Sequence, residues 1–294
     1  MIRYSITDLE KLSGIKAHTI RMWEKRHGII SPSRTETNIR YYDDEDLKKI
    51  LNISTLNRYG FKISRIACMD GETIKEKVRE ISGTHGDHET LINNLVVSMI
   101  DMDDDVFVHN FNTSVLKLGF EKCITHVVYP FLEKAGILWL TGTINPAQEH
   151  FITNLIRQKL IVAIDAQPEP ARSGAKTFLL FLPGQEMHEL GLLFYNYLLK
   201  KNRFRVIYLG QSVPFDDVVR VAKFRKADFL LTYFVTALKQ KEISPYLKRM
   251  SDALPDKKIF VTGLQVVEKD LKLPVNVQAI KNTEEFSPVI ERLK

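Results

Sequence analysis

Two groups of side chains in this 294-residue chain have the types and spacing to do chemistry. The first is Glu186-Met-His-Glu-Leu-Gly191, shortly after the apolar, strand-length run Thr177–Leu182. A loop at the carboxyl end of a buried strand turns His188 out of the sheet. There its imidazole can offer one nitrogen to a metal while a carboxylate polarises the other. Glu186 is the candidate within the motif, although the spacing alone leaves the choice of carboxylate open. The second group is His18-Thr-Ile-Arg-Met-Trp-Glu-Lys-Arg26. Ile20 and Trp23, three apart, can face a core, while Arg21, Lys25 and Arg26 project elsewhere as long donors for phosphates and base edges. No nucleophile–base pair, phosphate-binding glycine loop or zinc spacing accompanies them, so catalysis is not expected. Cys68 and Cys123, the only cysteines, lie too far apart in sequence to indicate a disulfide framework or a zinc cluster.

Charge distribution supports the second group. The formal charge is +6. Residues 1–70 hold thirteen Lys/Arg against nine Asp/Glu, whereas residues 80–116 hold seven acids and no Lys or Arg. A basic head before an acidic stretch places a polyanionic partner at the head. The apolar runs are far too short to cross a bilayer, and Arg3, Asp8 and Glu10 interrupt any opening signal segment. A cytoplasmic location without membrane contact is therefore expected.

Three regions must position these residues. In the first, Ser5 or Thr7 caps a short helix with Leu9 and Leu12, Ser13-Gly14 turns, and the His18–Arg26 helix follows. Ser31-Pro-Ser-Arg-Thr-Glu-Thr-Asn-Ile-Arg-Tyr-Tyr42 reads as a hairpin with its tip near Asn38, and Asp43–Asp46 opens another helix. The second region reads as helix throughout, with breaks near 82–86, 101–105, Gly119 and 140–146. Gln167–Ala175, rich in Pro and small residues, reads as a linker. Beyond it, the apolar runs 177–182, 205–209, 228–234, 258–262 and 275–280 alternate with helical patterns at 189–201, 214–225, 238–254, 265–271 and 284–293. Five such units predict a parallel sheet covered on both faces, with any ligand at the carboxyl ends of the strands.

The order helix, turn, helix, Arg-Thr wing, Arg-Tyr-Tyr, acidic cap and Gly-Phe, over residues 2 to about 70, resembles the DNA-binding domain of the MerR family. Asn38 stands where that family usually carries a wing-tip glycine, and Asn tolerates positive φ. The resemblance implies double-stranded DNA with near-palindromic operators as the partner, bound by a homodimer or tetramer. It implies contacts from His18, Thr19, Arg21, Met22, Lys25, Arg26, Arg34, Thr35, Asn38, Arg40 and Tyr41, with Arg21 and Lys25 toward the major groove. The long dimer helix and cysteines of the metal-sensing members have no counterpart, so metal sensing is not expected.

Trp139 followed by Glu149-His150, together with Glu186-Met-His188, resembles the cobalamin-binding module of the CarA/CarH/LitR branch of MerR regulators. The fold implied is multi-domain, α plus α/β: a winged helix-turn-helix (1–72), a four-helix bundle (73–168) and a Rossmann-like, flavodoxin-like five-stranded parallel sheet domain (176–294). Cobalamin, as adenosylcobalamin or another corrinoid, would sit between the bundle and the sheet domain and control a repressor. His188 would be the lower axial ligand of cobalt, with Glu186 or a nearby acid behind it. Met187 and Gly191 would lie near the corrin, and Trp139, Glu149 and His150 would cover its upper face. Where the family carries Ser-x-Leu and Gly-Gly stand Thr232-Tyr-Phe234 and Thr262-Gly263. Thr232 keeps a hydroxyl for the nucleotide base. Phe234 and Thr262 add bulk, and overpacking a cavity costs about 1–3 kcal/mol, enough to abolish binding or to select a truncated corrinoid. Leu140 replaces the histidine that follows the tryptophan in light-sensing members, so a light response of that kind is not expected. Two alternatives stand beside this reading: a ligand-free sensor domain used for oligomerisation, and a corrinoid carrier subunit for methyl transfer.

Overall fold

The computed structural model describes residues 3–84, 87–140, 144–169, 174–236, 238, 240–267 and 271–294. Residues 170–173 of the expected linker, 268–270 of the expected 265–271 helix, and 85–86 and 141–143 in two expected breaks lie outside the described residues. The chain divides into two compact units, Met1–Thr153 and Asn154–Lys294.

In the first unit, α1 (Ile6–Ser13) begins with a reciprocal capping box between Ser5 and Asp8, which satisfies two amide donors that the helix itself leaves orphaned. Of the two candidate caps, Ser5 therefore holds the position. Gly14, at φ 71°, ends α1 in the left-handed conformation and turns the chain into α2 (Ala17–His27). β1 (Ser33–Arg34) and β2 (Arg40–Tyr41) pair antiparallel as the wing. At its tip Asn38 takes φ 63°, the conformation a glycine would otherwise supply. A second capping box, Asp43 with Asp46, opens α3 (Asp44–Arg58). A short α4 (Ile63–Ile66) and α5 (Gly71–Thr84) follow.

The remaining helices of this unit are α6 (His88–Asp101), α7 (Asp104–Leu118), α8 (Phe120–Cys123), a π-helical turn (Ile124–Val128), α9 (Tyr129–Leu140) and the first part of α10 (Pro146–Asp165). Asp87 and Asp103 cap α6 and α7 with their side chains. Charged tethers fasten these helices to the first three. The Lys134 ammonium on α9 donates to the Leu12 carbonyl, to the Glu89 carboxylate and to Asn93. Lys48 bonds Asp101 at 2.6 Å. No described helix is long and apolar enough to cross a membrane.

In the second unit, β3 (Thr177–Pro183), α11 (Leu190–Lys201), β4 (Arg205–Val213), α12 (Phe215–Phe224), β5 (Phe229–Tyr233), α13 (Gln240–Ala253), β6 (Lys258–Thr262), α14 (Leu264–Val267), β7 (Val277–Ala279) and α15 (Thr283–Leu293) alternate. The five strands form one sheet in the order β4-β3-β5-β6-β7, every pairing parallel. All seven residues of β3 are buried, as a central strand covered on both faces requires. Leu179, Leu230, Phe234, Ile259 and Val261 share a core with α12 and α13. Phe178, Phe229 and Phe260 meet Phe286 of α15 or one another on the opposite face.

The order of connection reverses between β3 and β5, which opens a crevice at their carboxyl ends, the usual ligand position in such sheets. Gly263 closes the neighbouring β5–β6 end at φ 102°, and a Cβ there would lie 2.3 Å from the Phe234 carbonyl oxygen. Gly263→Ala is therefore expected to cost at least about 2 kcal/mol through backbone strain and displacement. A lowered urea midpoint for the full chain checks this, and an unchanged midpoint contradicts it.

Candidate nucleic-acid interface and histidine site

On α2, His18, Arg21, Met22 and Lys25 fall at positions i, i+3, i+4 and i+7, and all four are exposed, as is Arg26. Residues at these intervals lie on one helical face. Ile20 (0 % exposed) and Trp23 (7 %) anchor the other face, so the cationic side is held outward by burial of the apolar one. Thr19 is half-buried. In the wing, the Arg34 guanidinium donates to Asn38 Oδ1 at 2.7 Å, which stiffens the tip, and the Thr35 amide donates to the Ile39 carbonyl. Arg40 is paired with Glu24 at 3.3 Å, tying wing to α2. Tyr41 carries the Arg3 guanidinium 4.5 Å above its ring.

At the switch point of the sheet, the loop after β3 is built around one carboxylate. Glu186 is 0 % exposed. It accepts from the amides of Met187 (3.1 Å), His188 (3.2 Å), Val235 (2.9 Å) and Thr236 (2.8 Å) and from His188 Nδ1 at 2.6 Å. The carboxylate thus ties the β3 loop to the β5 loop across the crevice. It also fixes the imidazole: with the Nδ1 proton donated to Glu186, the lone pair resides on Nε2. The His188 side chain is 56 % exposed and can present that nitrogen outward. The Gln211 amide donates to the Met187 carbonyl at 2.7 Å. Met187 itself is exposed.

The other acid of the motif does something else. Glu189, nearly buried, pairs with Arg157 of α10 at 2.7 Å and accepts from the Tyr208 hydroxyl at 3.0 Å. Burial and this carboxylate push the Tyr208 phenol well above its ordinary pKa. Sequence alone does not single out Arg157 or Tyr208, because neither belongs to a local motif.

Gly191 does not open a free space. A Cβ on it would lie 2.5 Å from the ring of Tyr233 and 2.9 Å from its hydroxyl. Tyr195, one turn along α11, stands 6.3 Å from the Tyr233 ring and 5.2 Å from that of Phe286. Its hydroxyl is 3.5 Å from Thr262 Oγ1. The bulk expected from Phe234 is placed differently: this ring is fully buried in the core with α12 and α13, 5.9 Å from Tyr246. Strand alternation is the reason, since neighbours on a strand face opposite sides. Tyr233 pairs in register with Thr262 and fills the α11 side instead. Thr232, also fully buried, has a hydroxyl with no hydrogen-bond partner among the described residues.

These residues meet the requirements of a metal-bearing macrocycle on one side. A single outward imidazole with a buried carboxylate behind it suits one axial position. Among the described residues no group of three His, Cys, Asp or Glu side chains could hold a metal ion by itself. The gap beside Gly191, filled by aromatic rings, does not meet the needs of an inserted tail.

On the first unit, Trp139 is 46 % exposed near the end of α9. The Glu149 carboxylate lies 2.8 Å from His150 Nδ1 and accepts from Thr153 at 2.9 Å. The side chain of Leu140 lies outside the described residues.

Comparison with known proteins agrees with both halves. Residues 4–69 match the profile described as MerR HTH family regulatory protein, and residues 91–163 that of a B12 binding domain. The HTH-type transcriptional repressor CarH of Myxococcus xanthus is 28 % identical over 259 residues, covering 86 % of this chain and 85 % of that protein. The repressor CarA of the same organism is 26 % identical over 261 residues, covering 88 % and 86 %. A monomethylamine corrinoid protein of Methanosarcina barkeri shares the fold, with a TM-score of 0.55, 15 % identity and coverage of 71 % of this chain and all of that one. The chain thus joins a MerR helix-turn-helix domain to a B12-binding domain and is homologous to the CarH and CarA repressors over most of its length.

Proposed function

We propose that this chain is a DNA-binding transcription regulator, acting as a repressor, whose activity is set by a cobalamin-type ligand. The observation that carries the reading is the Glu186-fixed imidazole of His188 at the switch point, in a chain whose head presents the cationic face of α2. It works by binding and not by turnover. Homodimers or tetramers place two heads on a near-palindromic operator, and the symmetry of the site mirrors that of the protein. The domain limits proposed are 1–72, 73–168 and 176–294.

Arg21 and Lys25 approach the major groove, Arg34, Arg40 and Tyr41 contact phosphates or sugars, and His18, Thr19, Met22, Arg26, Thr35 and Asn38 complete the DNA-contacting surface. His188 would hold the corrinoid by coordinating its cobalt, and the bound corrinoid would supply a tightly chelated metal that responds to its ligands. Glu186 orients that histidine. Trp139, an exposed indole on α9, would contribute to corrinoid binding, as would Glu149 and His150 on α10. The ligand acts by favouring one oligomeric arrangement over another, which it can do only through a difference in affinity for the two.

Mixing the full chain with adenosylcobalamin and recording the visible spectrum tests the ligand claim. Wild type is expected to shift the corrinoid bands as imidazole replaces the lower ligand, and His188→Ala to leave them as in free cobalamin. An unshifted wild-type spectrum defeats the ligand claim, and gel shifts on promoter fragments judge the DNA claim separately.

A further inference from the structure

We infer that Tyr233 is a specificity residue: its ring occupies the gap beside Gly191, so the site favours corrinoids without a bulky base on their lower tail. The inference rests on the proposed corrinoid reading. Cobalt has one lower axial position. If His188 fills it, the benzimidazole that cobalamin carries on its own nucleotide tail must leave the metal and find another place. Near the carboxyl ends of β5 and β6, two glycines, Gly191 on α11 and Gly263 after β6, lack the side chain that would otherwise fill the space beside the backbone, and these are the positions where a tail could enter.

Both approaches are shut. The Tyr233 ring and hydroxyl occupy the space that a side chain on Gly191 would take. Tyr195 backs that ring and leans on Thr262 and Phe286, and Gly263 is pressed against the Phe234 backbone. Thr232 offers no way round, since alternation sets it on the face of Leu230 and Phe234, away from Gly191. Burial, with the nearby Glu186 charge, holds the Tyr233 phenol neutral by raising its pKa, so the plug is an uncharged ring packed on rings. A tail base must expel it into water, and re-exposing one aromatic side chain weakens binding about 10- to 100-fold.

The test compares aquacobalamin with diaquacobinamide, which lacks the nucleotide, by spectral titration of the full chain and of Tyr233→Ala and Tyr233→Phe. Detaching the base from cobalt weakens cobalamin equally for all three proteins, so the readout is the change in the ratio of the two Kd values. Tyr233→Ala is expected to reduce the preference for cobinamide roughly tenfold or more, by tightening cobalamin. Tyr233→Phe, which keeps the ring, is expected to retain it. If Tyr233→Ala does not fold, Tyr233→Leu, which is smaller and apolar, replaces it. Equal affinities in wild type, or a ratio unchanged by removal of the ring, overturn the inference and leave the proposed function intact. Failure of wild type to bind either corrinoid overturns both.

Discussion

Glu186→Ala is expected to lower the thermal midpoint of the second unit's unfolding by about 10 °C, the equivalent of roughly 3–5 kcal/mol. The reason lies in how many donors converge on one buried group. Four backbone amides and the His188 ring nitrogen donate to this carboxylate at 2.6–3.2 Å. A buried donor left without an acceptor costs about 1–3 kcal/mol, and water entering the vacated space offsets only part of the sum. The β3 and β5 loops lose their shared anchor at the same time, and the imidazole loses the partner that sets its tautomer. Corrinoid affinity should therefore fall together with stability. Glu186→Gln is expected to fall between the two, because its amide group presents hydrogens to at least one of these donors. Calorimetry on the full chain reads the transition. An alanine variant as stable as wild type would mean that the carboxylate does not organise the crevice.

The second large effect concerns DNA. Arg21→Ala combined with Lys25→Ala is expected to weaken operator binding by about 2–4 kcal/mol, roughly 30- to 1000-fold in Kd. Both side chains are exposed on α2, so the fold, anchored by Ile20 and Trp23, should be unaffected. The salt dependence also separates roles. Removing a cation that neutralises a phosphate lowers the slope of log K against log salt by about one. Removing a side chain that reads a base edge relaxes sequence preference and leaves the slope unchanged. Gel shifts at several salt concentrations measure both quantities. A double variant that binds like wild type would remove α2 from the recognition surface.

The head was legible because its signals are local. Ser5 with Asp8 and Asp43 with Asp46 are caps within one helical turn. Asn38 at φ 63° is a turn residue doing what its type permits. The strands of the sheet were legible too, from short apolar runs separated by helical periodicity. The expected run 205–209 proved short of the observed Arg205–Val213, because Gly210 and Ser212 take positive φ and the strand continues past a bulge in its pairing with β3. The expected 265–271 helix is described only over Leu264–Val267.

The histidine site was legible in part. The motif named His188 and offered Glu186, but two carboxylates flank the histidine and spacing could not choose between them. Residue type also drew attention to Phe234 and Thr262, whereas Tyr233, standing between the expected Ser-x-Leu positions, is the ring that meets Gly191.

By itself the sequence determined the character of each element: which segments become helix or strand, and that the chain carries a cationic helix and a histidine loop. These depend on caps, periodicity and backbone freedom over a few residues. The tertiary structure alone decided that Glu186 bonds His188 while Glu189 turns to Arg157 and Tyr208, and that a tyrosine fills the space a glycine leaves. Apart from the Glu186–His188 bond itself, whose carboxylate is held from Val235, those outcomes join residues some twenty to fifty positions apart. They follow from strand order, register and pleat, which exist only once the sheet is assembled.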